Sequence, residues 1–242
     1  MLNDSVISIS NSRHIHISNL IITGSLTGIT IFNSSNIWLD ALEVVKFGKS
    51  GIVVKDSVDV RITRSVVSEN GEHGIQLESV ERIQIRSSKM ENNGRTGLTC
   101  QNKCINLTVQ CNVFKQSEWE GIWIIGGLDQ VPTNILISNS LFLDQTTRDI
   151  LLDQVQNVSI YRNTFISSKF HTSTTIVTSK ACNITNNVGN TDLEPDLHDS
   201  TDILVEHNTE SNTVRLTCQV ESSGSKLKIW IGMGLVMVIL MC

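Results

Sequence analysis

The chain has 242 residues, a net charge of -5 at pH 7, 40% hydrophobic and 5% aromatic residues, and only two prolines. With its signs interspersed and no basic stripe interleaved with aromatics, nucleic acid is excluded as a partner class. The length would hold one or two ordinary domains, but an internal repeat runs almost end to end and argues for one elongated domain over 1–220, ahead of a linker and tail at 221–242.

The first repeat begins near Val6, with no charged n-region or apolar h-region before it. Because solenoid ends need caps, the chain reads as a fragment of a longer product whose signal peptide and first coils lie upstream. The clearest copies open at Gly28, Gly51, Gly74 and Gly97, each 23 residues apart, and Gly121 follows at 24. Looser copies continue at Asp149 and around Ser173 and Glu194. A fixed period of this kind marks units that bury a face only by stacking on their neighbours.

Within each copy the apolar residues alternate, as in Ile29/Ile31, Ile52/Val54, Ile75/Leu77, Leu98/Cys100, Ile122/Ile124 and Ile150/Leu152. A second alternating pair follows: Ile15/Ile17, Ile37/Leu39, Val60/Ile62, Ile83/Ile85, Leu107/Val109, Ile135/Ile137, Val158/Ile160, Cys182/Ile184 and Ile203/Val205. Period two means strands with one face buried, and about 23 residues leave room for three short strands but not for a crossover helix. The glycines opening the coils suit a bend that needs positive φ or close backbone approach. A further column, Ser65, Ser88, Asn112, Ser140, Asn163, Asn187 and Asn208, places small polar side chains at the ~4.8 Å strand spacing, where they can hydrogen-bond along the stack.

The coil opened by Gly121 carries extra residues, Gly126 to Thr133, that must leave the stack as a loop. Cys100 and Cys182 fall on inward positions as small hydrophobes, whereas Cys104 and Cys111 sit in one coil and are candidates for a bridge. Sequons at Asn3, Asn33, Asn106, Asn157 and Asn183 permit secretion, and about that many arise by chance in so polar a chain. After Lys226-Leu227-Lys228 the last fourteen residues, Ile229 to Cys242, are uncharged and nearly all apolar. As a helix they would reach only about 21 Å, short of a bilayer core. They resemble a glycosylphosphatidylinositol signal, and a short membrane anchor and a packed cap are the other readings. The expected location is the cell surface, with the tail as membrane contact.

Coil starts of the form G-I-x-V/L and closures such as Asn112-Val113-Phe114, Ser140-Leu141-Phe142 and Asn163-Thr164-Phe165 resemble the right-handed parallel β-helix proteins of the pectin-lyase-like superfamily over residues 6–218. The expected fold is therefore an all-β, right-handed parallel β-helix of about nine coils with a period near 23 residues, followed by the apolar tail. The resemblance also implies an elongated face used on polysaccharide. Lyases of this fold hold Ca²⁺ against a uronate with carboxylates and abstract a proton with a basic residue, often Arg.

No catalytic motif is legible. Phe47-Gly48-Lys49-Ser50-Gly51 lacks the first glycine of a phosphate-binding loop, no G-x-S-x-G occurs, and Asn70-Gly71-Glu72-His73-Gly74 and Asn190-Thr191-Asp192 match hydrolase strings only in part. What remains is a charge constellation on outward positions of adjacent coils. By residue type, Asp40 and Asp59 are candidate Ca²⁺ ligands, Arg82 and Arg86 candidate bases, and Arg61, Arg64, Glu78 and Trp38 candidate ligand contacts. The first functional reading is a module presenting this face to acidic polysaccharide. A Ca²⁺-dependent lyase or glycoside hydrolase is the alternative, and a structural or adhesive rod the third.

Overall fold

The computed structural model describes residues 5–24, 26–127, 130–167 and 172–211, and the backbone of 221–222 and 225–226. The apolar tail, Asn3 and most of the linker lie outside these residues. Among those described there is no helix, and so none long and apolar enough to cross a membrane.

Nine coils stack, the first formed by Ser5–Ser10, Arg13–Ser18 and Ile21–Thr23 and the ninth by Asp196–His198, Thr201–Glu206 and Thr209–Glu210. Equivalent strands of successive coils pair in parallel. First and second strands share one sheet, because Ile75–Arg86 and Leu98–Gln110 each run through both positions without a break. Third strands form a separate nine-stranded sheet. The interior is the set of alternating columns: Ile52, Val54, Val60 and Ile62 are fully buried while Arg61 faces out. Phe114, Phe142 and Phe165 stack along one inward column with centroids 4.9 and 5.0 Å apart.

The polar column at the corner between second and third strands is a hydrogen-bonded ladder. The amide of Ser65 donates to Ser88 Oγ at 3.1 Å, Ser88 to Asn112 Oδ1 at 2.9 Å, and Asn163 to Asn187 Oδ1 at 2.9 Å. Each coil thus satisfies a buried corner N–H of the coil before it, and each such bond contributes about 1 kcal/mol net.

Two details narrow the expectations. The coil-opening glycines serve close approach rather than positive φ: a Cβ on Gly28 would meet the Gly51 carbonyl oxygen at 2.4 Å. Left-handed conformations fall instead on 31 described non-glycine residues, 16 of them Asn or Asp, whose short polar side chains tolerate that region. The second concerns the cysteines. Cys104 is bonded to Cys100, four residues away, and not to Cys111, because Cys100 and Cys104 face each other across the bulge joining first and second strands. Cys111 is also disulfide-bonded, and Cys182 is a buried thiol raised to about 11 by burial.

Candidate functional site

The predicted site residues lie on the second-strand face of coils 2 to 4, carried by Ser35–Asp40, Val58–Thr63 and Ile75–Arg86, with Glu78 and Lys55 on the adjoining first strands. The in-register pairing of these strands fixes which residues are stacked. His16, Trp38, Arg61 and Gln84 form one outward column, and Asp40, Thr63 and Arg86 another. Asn36, Asp59 and Arg82 share a third, together with His14, all with φ between 53° and 58°. Other coils place Asn, Ala or Asp at the same left-handed position, so the conformation belongs to the fold and is not strain stored at a site.

The carboxylates of this face are engaged. Arg64 grips Asp40 with both ends of its guanidinium, Nε lying 2.9 Å from Oδ1, and Thr63 Oγ1 donates to the same oxygen at 2.6 Å. Trp38 Nε1 donates to Thr63 Oγ1 at 2.9 Å and completes the chain. Asp40 is only 4% exposed, and the Arg64 hydrogen bonds hold its carboxyl below the usual range despite burial. Arg82 binds Asp59 in the same bidentate way at 2.7 and 3.0 Å and also contacts Glu81. Its hydrogen bonds likewise lower the Asp59 pKa, with Arg61 adding a smaller attraction. Lys55 Nζ sits 2.6 Å from Glu78.

The expected Ca²⁺ pair does not converge. Asp59 and the Thr63 stacked on Asp40 are four residues apart on one strand, which separates the two carboxylates by about 13 Å, whereas Ca²⁺ needs its oxygens within about 2.6 Å of one ion. Among the described residues no group of three His, Cys, Asp or Glu side chains is placed to hold a metal. These residues therefore do not fit the ion. Nor do the arginines have the setting of a base: Arg82 is held between two carboxylates in its charged form, and Arg86 Nη2 donates to Gln110 Oε1.

Of the four arginines expected on this face, Arg64 and Arg82 are ion-paired, whereas Arg61 and Arg86, both exposed, form no ion pair with a carboxylate among the described residues. Beside Arg61 the half-exposed Trp38 stacks on His16 with centroids 4.2 Å apart and planes 9° from parallel. The column therefore presents an aromatic step followed by a guanidinium, on a backbone fixed by two parallel neighbours.

The first-strand face differs. Its outward column Thr99, Trp123, Leu151, Thr175 is recessed, and Thr99 and Thr175 are buried although they point away from the core. Thr99 Oγ1, Trp123 Nε1 and Thr175 Oγ1 are sealed from solvent without hydrogen-bond partners. Asp153, half-buried on this face, has its carboxyl raised by desolvation. The turns that open successive coils run alongside and carry a second polar column, Ser50, His73, Thr96 and Glu120. His73 Nδ1 lies 2.6 Å from Thr96 Oγ1, and burial, aided by Arg95, lowers its pKa to about 4. The sequence singled out neither Trp119 nor Glu120 here, since turn residues fall outside the alternating columns.

The sequence matches the family described as the right handed beta helix region over residues 3–133. No curated protein matches significantly. Among solved structures, the A-module of mannuronan C-5 epimerase AlgE6 from Azotobacter vinelandii superposes with a TM-score of 0.66 at 14% identity, over 80% of this chain and 54% of that one. DFA-IIIase from Arthrobacter chlorophenolicus A6 gives 0.61 at 13% identity, over 79% and 50%. Pectate lyase Pel9A gives 0.56 at 12% identity, over 78% and 55%. The chain thus spans about half the length of these structures, and at such identities the likeness is one of fold.

Proposed function

Since the chain belongs to the right-handed β-helix family, we propose that it is a glycan-binding β-helix module whose second-strand face receives acidic polysaccharide running along the stack. The carrying observation is the column His16, Trp38, Arg61 with Arg86 beside it: an aromatic step and two exposed guanidinium groups, neither of them in an ion pair among the described residues, with Asp59 only a weak attraction for Arg61. Guanidinium forks match carboxylates and sulfates, and a rigid stack presents them at little ordering cost. The structural neighbours include proteins whose names state action on mannuronan and pectate, which supports the polysaccharide class. Because the carboxylates are already bound to arginines, binding without turnover is preferred over a Ca²⁺-dependent lyase.

The Cys100–Cys104 bridge fits an oxidising compartment, and a neighbour named a periplasmic alginate epimerase agrees with export. The apolar tail is proposed as the membrane contact at the cell surface. The test is binding of oligogalacturonate and oligoguluronate at two salt concentrations. An Arg61→Ala/Arg86→Ala variant should bind at least tenfold more weakly with a shallower salt dependence. Affinity equal to that of the parent would overturn the reading, and release of unsaturated uronate from either substrate would restore the lyase.

A further inference from the structure

We propose that a second ligand site lies on the turn side of coils 5 to 7, centred on Trp119, and that it takes an uncharged pyranose ring. This goes beyond the acidic-glycan reading and does not depend on it. Trp119 sits in the turn that leads into the first strand Ile122–Ile125 and is 40% exposed. It is no isolated surface aromatic: its ring lies 6.3 Å from that of Trp123, tilted by 56°, and Arg95 Cζ stands 5.3 Å over it. The cation over the ring and the second indole hold Trp119 in place, so its remaining surface is offered without much side-chain entropy to lose.

Stacking places polar groups around the indole. The Trp119 amide donates to the Arg95 carbonyl of the coil before, and the Thr147 amide donates to the Trp119 carbonyl from the coil after. Arg95 and Thr147 therefore flank Trp119 on opposite sides along the stack, about 5 Å of rise away in each direction, and Arg148 lies one residue beyond Thr147, against Glu120. Arg148 reaches Glu120 Oε1 at 3.5 Å, and Thr147 Oγ1 donates to the same oxygen at 3.1 Å. Arg95 holds only a loose pair with Glu72 at 3.9 Å. Exposed Glu118 precedes the indole directly. The immediate surround thus has two guanidinium groups, two carboxylates in Glu118 and Glu120, and Glu72 behind Arg95.

That balance selects the ligand. A uronate would meet three carboxylates against two guanidiniums, whereas the hydroxyls of a neutral sugar can donate to the exposed Glu118 and accept from Arg95 while the ring's C–H face lies on the indole. A second, independent observation marks the same region. The recessed column behind Trp119 carries Thr99 Oγ1 and Trp123 Nε1 without partners, although buried polar atoms are otherwise satisfied almost everywhere in proteins. These atoms are sealed from solvent and mark unmet polarity beside the site, while the surface a ligand reaches is the exposed Trp119 ring.

The experiment titrates the full chain with cellohexaose, mannohexaose and galactohexaose at low and high salt, following tryptophan emission in a Trp38→Phe background. At least one neutral hexasaccharide should bind with a Kd below 1 mM that salt leaves unchanged. Trp119→Ala should weaken it at least tenfold, and Trp119→Phe should recover part of the loss. The Arg61→Ala/Arg86→Ala variant should bind it as the parent does, which separates this site from the acidic-glycan face. No binding by any of the three, or equal affinity in Trp119→Ala with circular dichroism unchanged, overturns the proposal.

Discussion

The two outward faces of this solenoid are built from the same stacking rule and end in opposite states. On the second-strand face the candidate carboxylates have found partners one coil away, Asp40 with Arg64 and Asp59 with Arg82, and neutral amides pair likewise, Asn157 donating to Asn134 at 2.6 Å. On the first-strand face the outward column is recessed, neutral and, among the described residues, in part unpaired. A column of long, exposed side chains can search for partners along the stack, whereas a covered column of Thr and Trp cannot. The exposed face therefore satisfies its carboxylates internally and leaves Arg61 and Arg86 outward, and the covered one depends on what lies against it.

The largest effect that separates the faces is a pH dependence. His73 is 4% exposed on the turn side, next to Ser50 and Thr96 and facing Arg95, with a pKa lowered from 6.5 to about 4. The unfolded chain takes up a proton below pH 6.5 that the folded chain refuses until about 4. The His73 contribution to stability is therefore full above 6.5, falls between 6.5 and 4 by about 1.4 kcal/mol per pH unit, and levels off below that, for a loss of about 3 kcal/mol from this group. The Asp40 and Asp59 contributions on the other face fail only at more acid pH, below the usual value of 3.8. Urea unfolding of the parent and of His73→Gln from pH 7 to 4 would reveal the difference. Identical slopes in the two proteins would mean that His73 does not govern the acid limb.

A smaller effect lies within the charged face. Arg64→Ala leaves the covered Asp40 carboxylate with only Thr63, which should cost about 1 to 2 kcal/mol, reduced because Arg64 itself stands half in solvent. Arg82→Ala removes a pair whose two members are both exposed, and its melting temperature should match that of the parent. If the two variants melt together, burial does not discriminate between these ion pairs.

The fold was legible because burial alternates with period two and repeats with period 23, so Ile52, Val54, Val60 and Ile62 announced themselves from both periods at once. The Ser/Asn ladder was legible for the same reason: one column holds one residue type because each member does one job for its neighbour. The site was only half legible. Sequence placed Asp40, Asp59, Arg61, Arg64, Arg82 and Arg86 on one face but could not say which carboxylate an arginine would take. Arg64 binds Asp40 from 24 residues away, one step off its own column. The left-handed corners went unread because a residue such as Arg82 or Ala41 carries no local signal for positive φ, which the neighbouring coils impose. Trp119 went unnoticed because a turn residue has no periodicity to obey.

The smallest effect tests whether the exposed face is stabilised by its ladder or merely decorated by it. The column that holds Asp59 and Arg82 continues upward as Asn106, Asn134, Asn157, Ala181 and Asp202, all with positive φ. Asn134 donates to Asn106 at 3.2 Å and Asn157 to Asn134 at 2.6 Å, and the amide run then stops at Ala181, which has φ 55° and no side chain to continue it. Ala181→Asn supplies a residue that tolerates the left-handed region better than Ala and can donate to Asn157. An exposed hydrogen bond and the relieved backbone together should stabilise by about 0.5 to 1 kcal/mol, a rise of roughly 2 °C in melting temperature. Ala181→Gly relieves the backbone without extending the ladder and should gain less. If Gly gains as much as Asn, the amide ladder of this face adds nothing to stability, and the pairing along it serves only to keep the surface polar and dispersed.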